Sequence, residues 1–148
     1  MKVVIGTDHA GFAYKTGLIK AIKSMGHSVM DVGTDSSSSV DYPDFAEKVS
    51  KIVAGCQADI GILLCGSGIG MDIAANKVNG IRCASCWSVE TAELARTHNS
   101  ANVLSVGTRL LPLEKCVEIT KTFLITPPTS VERHLRRIDK IKKIEERN

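Results

Sequence analysis

The chain has 148 residues, 43% of them hydrophobic and 24% charged, with a formal net charge of +3. That balance fits one globular domain around one core rather than a disordered chain. No apolar run approaches the roughly 20 residues a membrane span needs, and so mild a charge does not by itself point to nucleic acid.

Residues 2–7 read as a first strand entering a turn, without the longer apolar stretch and small-residue cleavage site of a signal peptide. A helix is expected over 11–25, a second strand over 28–32, a surface loop at the serine run 36–39 and a helix over 43–54. A third strand is expected at 59–64, followed by a helix over 69–77. A fourth strand at 80–86, a helix over 88–98, a fifth strand at 102–106 and a helix over 112–124 complete the alternation. Strands alternating with helices predict an α/β fold: a Rossmann-like, doubly wound sheet of about five parallel strands. Pro127-Pro128 then breaks the chain before a C-terminal helix over 129–146. Thr129 and Glu132 have capping-box spacing. Val131, Leu135 and Ile138 form the stripe expected to dock on the helix's own core, which turns Arg133 and Arg137 to the other side. The whole of 1–148 reads as a single domain.

Five scattered cysteines, Cys56, Cys65, Cys83, Cys86 and Cys116, predict reduced thiols and a cytoplasmic protein. Cys83 and Cys86 form one C-x-x-C, but a structural zinc site needs a second pair or nearby histidines. They read as small core thiols on a strand. The basic run Arg133, Arg136, Arg137, Lys140, Lys142 and Lys143 fits a solvated helix face, an anion site or a weak RNA strip.

In open α/β sheets, ligands bind beyond the carboxyl ends of the strands. Asp8-His9 follows the first strand and Cys65-Gly66-Ser67-Gly68-Ile69-Gly70 follows the third. Glycines that turn N–H groups inward, ahead of a helix N-terminus, make an anion-binding concavity. No Gly-Lys-Ser/Thr follows, so this is not a Walker A loop. Met71 stands where a G-x-G-x-x-G fingerprint needs its third glycine and where a cysteine phosphatase loop has arginine. Taken alone, the loop fits a tight turn with a structural cysteine as well as it fits an oxyanion cradle. A cysteine at such a helix start is expected to have a lowered pKa. Asp8 could simply cap a helix, and His98 could simply favour a helix C-terminus. If His9, Cys65 and His98 converge on one sheet edge, they share a cleft.

The runs Gly6-Thr7-Asp8-His9-Ala10-Gly11-Phe12, Val40-Asp41-Tyr42-Pro43, CGSGIGMDIAANKVNGIR at 65–82, His98-Asn99, the segment 102–109 and Arg133-His134-x-x-Arg137 resemble, in order, the ribose-5-phosphate isomerase B family. The resemblance implies an aldose–ketose isomerase working through an enediolate, homodimeric or a dimer of dimers, without metal or organic cofactor. It implies no nucleic-acid or membrane partner. By position, Cys65 is the base. The N–H groups of Gly66, Gly68, Ile69 and Gly70, with the Ser67 hydroxyl, hold the enediolate oxygen. Asp8 and His98 assist ring opening; His9, Arg109, Arg133 and Arg137 hold the phosphate; Tyr42 and Asn99 line the sugar site. Planar arginine forks suit phosphate, and an anionic enediolate calls for a base, an oxyanion hole and exclusion of water.

The chain departs from the pattern at Met71, where some members carry a glutamate base, and at Val131-Glu132, where relatives often have Gly-Gly. Asp72 adds a carboxylate to the first turn after the loop. The competing readings are an isomerase of six-carbon sugar phosphates (allose or galactose 6-phosphate) and a non-catalytic phosphate- or nucleotide-binding module.

Overall fold

The computed structural model describes residues 1–147. Five strands and six helices follow in the order β1 (Lys2–Thr7), α1 (Phe12–Ser24), β2 (Ser28–Asp31), α2 (Tyr42–Ala54), β3 (Ile60–Cys65), α3 (Ile69–Ala75), β4 (Cys83–Ser85), α4 (Val89–Asn99), β5 (Val103–Gly107), α5 (Leu113–Ile125) and α6 (Glu132–Glu145). All strand pairs are parallel, in the order β2-β1-β3-β5-β4. This is the expected doubly wound sheet.

Side-chain alternation along the strands builds two cores. Val3, Ile5, Ile62, Leu64, Leu104 and Val106 face α1, α4 and α5, where they meet Leu18, Ile22, Ala92, Ile119 and Phe123. Val4, Leu63, Cys65 and Val103 face α2 and α3, against Ala46, Val49, Met71 and Ala75. With both faces covered, the central strands are apolar on both sides. Cutting Leu63 or Leu64 back to Ala would cost about 2–5 kcal/mol.

Two elements are shorter than the sequence suggests. β4 spans three residues rather than 80–86 because side chains take over its ladder. Asn102 Oδ1 accepts the Arg82 N–H at 2.8 Å, and Asn102 Nδ2 donates to the Gly80 carbonyl at 2.9 Å. α3 stops at Ala75 because Asn76 turns the chain: its Oδ1 accepts the Cys83 N–H at 2.8 Å and its Nδ2 donates to the Asp72 and Cys83 carbonyls.

The C-terminal helix differs most. Its N-cap is Val131 and no side chain caps it, so Glu132 is its first residue and cannot close a capping box with Thr129. Thr129 Oγ1 instead accepts the Val131 N–H. Of the expected docking stripe only Ile138 is half-buried; Val131 and Leu135 are 48% and 46% exposed. The buried residue of α6 is His134, which lies on α4, so the helix is rotated away from its apolar stripe.

Candidate active site

The order β2-β1-β3 reverses direction between β1 and β3, and at such a switch point the flanking helices diverge to leave a crevice. Asp8-His9 leaves β1 there and Cys65 ends β3 beside it. The Asp8 N–H donates to the Leu64 carbonyl at 3.2 Å and joins the two strand ends. Gly11 packs so tightly that an added Cβ would lie 2.6 Å from the Leu64 oxygen. Asp8 is 5% exposed, and its Oδ1 accepts the N–H groups of Ala10 and Gly11 at 2.9 and 3.0 Å. His9 Nδ1 accepts the Val40 N–H, which leaves Nε2 to carry the proton.

Cys65 is buried, 4% exposed, and its sulfur accepts the Gly68 N–H at 3.2 Å. The expected lowering of its pKa does not occur. Burial pushes the thiol above 9.0, and the Asp8 charge adds to that. The N–H groups of Met71, Gly68 and Ser67 pull the other way without overcoming it. Desolvation of the thiolate thus outweighs the pull of the helix start.

The loop is shaped by close contacts. Gly68 takes φ +80°, open to glycine at no cost. The Ser67 hydroxyl accepts the Ile69 N–H. Tyr42 covers Gly70, whose Cβ would collide with its ring at 2.6 Å, and Arg109 lies across Gly66. Two residues not singled out from the sequence pin this loop. Buried Ser105 on β5 donates to the Gly68 carbonyl at 2.6 Å. Thr108 donates to the Ala10 carbonyl at 2.8 Å and its N–H to the Cys65 carbonyl at 2.9 Å. The available signal was a serine inside the otherwise apolar strand Val103-Leu104-Ser105-Val106.

A cleft of about 660 Å³ results, lined by Asp8, His9, Tyr42, Cys65, Gly66, Ser67, Ile69, Gly70 and Arg109, with Ile73 and Leu110 at its rim. Gly68 shapes the loop from behind. His98, Asn99, Arg133 and Arg137 do not line it. In a parallel sheet, the helix leading into a strand ends at the amino edge, so α4 delivers His98 and Asn99 to the edge opposite Cys65. There His98 stacks on His134 with ring centroids 4.3 Å apart, beside Arg133 and Arg137 on α6. Within one chain, His98 therefore does not share the cleft of His9 and Cys65.

Cys83 is half-buried in β4 and Cys86 is buried behind it; burial raises both thiols, Cys86 to about 11. They are core thiols, as their setting implied. Among the described residues, no three His, Cys, Asp or Glu side chains gather to hold a metal ion, and no helix is long and apolar enough to cross a membrane.

The profile of the family described as Ribose/Galactose Isomerase matches residues 3–141. The chain is 43% identical over 140 residues to ribose-5-phosphate isomerase B of Mycolicibacterium paratuberculosis, covering 94% of this chain and 88% of that protein. The type B ribose 5-phosphate isomerase structure from Trypanosoma cruzi superposes with a TM-score of 0.97 at 47% identity, covering all of both chains. Ribose-5-phosphate isomerase B from Mycoplasma genitalium, solved with bound ribulose-5-phosphate, superposes with a TM-score of 0.92 at 38% identity, covering 99% of this chain and 97% of that one.

Proposed function

The chain belongs to the ribose/galactose isomerase family, and from that premise we infer that it is an aldose–ketose isomerase interconverting ribose 5-phosphate and ribulose 5-phosphate. The observation that carries this reading is the Cys65 sulfur at the switch-point cleft, seated on the N–H groups of its own Gly-rich loop. In the proposed reaction, the thiolate of Cys65 takes the C2 proton of the open-chain aldose. The electrons move onto the C1 oxygen, and the resulting enediolate is held by the N–H groups of Gly66, Ile69 and Gly70 with the Ser67 hydroxyl, while the Gly68 N–H stays on the Cys65 sulfur. The O2 proton then passes to O1, the C2 carbonyl forms as the Cys65 thiol returns its proton to C1, and the ketose leaves with Cys65 again a thiolate. Asp8 and His98 serve the earlier ring opening, in which the C1 hydroxyl loses a proton and the ring oxygen gains one. His9 and Arg109 bind phosphate from the cleft side, and Tyr42 and Asn99 flank the sugar.

His98, Asn99, Arg133 and Arg137 reach such a substrate only from a second copy, so the reading includes a homodimer with shared sites. Apolar side chains support it: Ile69, Ile73, Trp87 and Leu110 are 57–67% exposed around the cleft, and Val131 and Leu135 are exposed on α6. Five free cysteines fit a reducing cytoplasm.

A coupled assay of ribulose 5-phosphate formation from ribose 5-phosphate tests the activity; turnover confined to six-carbon phosphates would overturn the substrate. A mixed dimer tests the sharing. One subunit carries Cys65→Ala and the other Arg133→Ala with Arg137→Ala. Crossing tails leave one site intact and about half the activity. Tails that serve their own subunit leave no complete site and no recovery.

A further inference from the structure

The turn that carries His98 is held by three contacts of different kinds. Arg82 clamps its backbone, with Nε 2.9 Å from the Asn99 carbonyl and Nη2 2.9 Å from the Ser100 carbonyl. Ser100, in the left-handed region at φ +46°, ends α4, and its hydroxyl accepts the Thr129 N–H at 3.1 Å. Those bonds fix the main chain and leave the exposed His98 side chain free to rotate about its own bonds. The third contact acts on the ring. His134, 6% exposed, lies against it with centroids 4.3 Å apart and planes inclined by 18°. Burial, reinforced by His98, Arg133 and Arg137, holds His134 below the ordinary imidazole range. The stack therefore sets a neutral ring against His98 and adds no third cation between the two arginines.

We propose that His134 is a positioning residue for the reaction: its ring, wedged between α4 and α6, holds the His98 imidazole in the one plane from which it reaches the sugar ring. The inference rests on the ring-opening role proposed for His98. Its energetic basis is preorganisation: an exposed side chain that must find its working rotamer loses conformational freedom at each turnover, and a stacked one has lost it already.

A double-mutant cycle separates this role from a structural one. The equilibrium constant fixes the ratio of kcat/KM in the two directions, so His134→Ala should lower both by the same factor, about tenfold or more, a part of what a proton-transfer group supplies. His134→Phe, which keeps an aromatic face, should restore most of the loss. In a His98→Ala background, His134→Ala should cost less than about twofold more, since no imidazole remains to be positioned. No loss in the single variant, an equal further loss in the His98→Ala background, or no rescue by Phe in a protein of unchanged Tm would overturn the proposal. Carbethoxylation of His98 by diethyl pyrocarbonate, followed by peptide mass mapping, reads the stack without activity. Faster modification in His134→Ala than in the wild type and His134→Phe supports the proposal, and equal rates in all three overturn it. A wild type inactive in both directions would instead remove the isomerase reading, while the modification rates would still decide whether His134 orders His98.

Discussion

The Cys65 sulfur accepts the Gly68 N–H, yet burial keeps its thiol above 9.0. A base with a raised pKa is scarce as thiolate at neutral pH but takes a carbon-bound proton more readily once formed. With the thiolate as the active form, kcat/KM should climb as pH rises and still be climbing at pH 9. A plateau already reached below pH 8 would mean that another group is the base. Cys65→Ser should fold and bind but lose about a thousandfold or more in kcat, since a hydroxyl ionises far less readily than a thiol. The loop's other determinants are equally local. Gly68 supplies the left-handed turn, and Gly11 admits the close approach of β1's exit to Leu64.

At the scale of elements, β5 steadies the loop from beneath and α6 carries the basic pair. Ser105→Ala leaves the Gly68 carbonyl without its buried donor, a loss of about 1–3 kcal/mol. Its kcat should fall together with its Tm; a drop in Tm with kcat unchanged would show that the bond serves the fold alone. Arg133 and Arg137 are exposed and lie about 6 Å apart along α6. Replacing both with Ala should move Tm little, as exposed residues generally do. It should raise KM for the sugar phosphate by tenfold or more, since charge-assisted hydrogen bonds contribute about 1.5–3 kcal/mol each. Titrating KM and Tm on the same preparation checks both halves.

For the whole molecule, buried thiols couple stability to alkaline pH. Burial raises Cys86 and Cys116 to about 11 and Cys83 well above 9.0. The unfolded chain releases these protons near 9.0, the folded chain only nearer 11. Between those values the unfolded state binds fewer protons, so stability present below pH 9 is lost as pH rises towards 11. Each thiol contributes at most about 1.4 kcal/mol per pH unit in that window. Urea midpoints should fall from pH 9 to 11, and Cys116→Ala, less stable at pH 8, should fall less steeply. An identical slope in the variant would remove the thiol from the account.

The alternation of apolar runs and helical spacing determined the doubly wound sheet, because strand and helix periods are local properties of the chain. The Gly-rich run after the third strand and the Asp8-His9 pair after the first marked the cleft for the same reason: a strand's carboxyl end is legible one residue at a time. Strand order was not legible in this way. Placing β5 between β3 and β4 is a matter of which surfaces pack. His98, by contrast, lies at the edge opposite Cys65 because α4 leads into a strand parallel to β3, and only pairing fixes that direction. The sign of the Cys65 shift also needed the fold, since a helix start is visible in sequence but the burial that outweighs it is not. The seating of α6 followed the same rule. Periodicity identified its apolar stripe, and only packing on α4 turned His134 inward and left Val131 and Leu135 exposed.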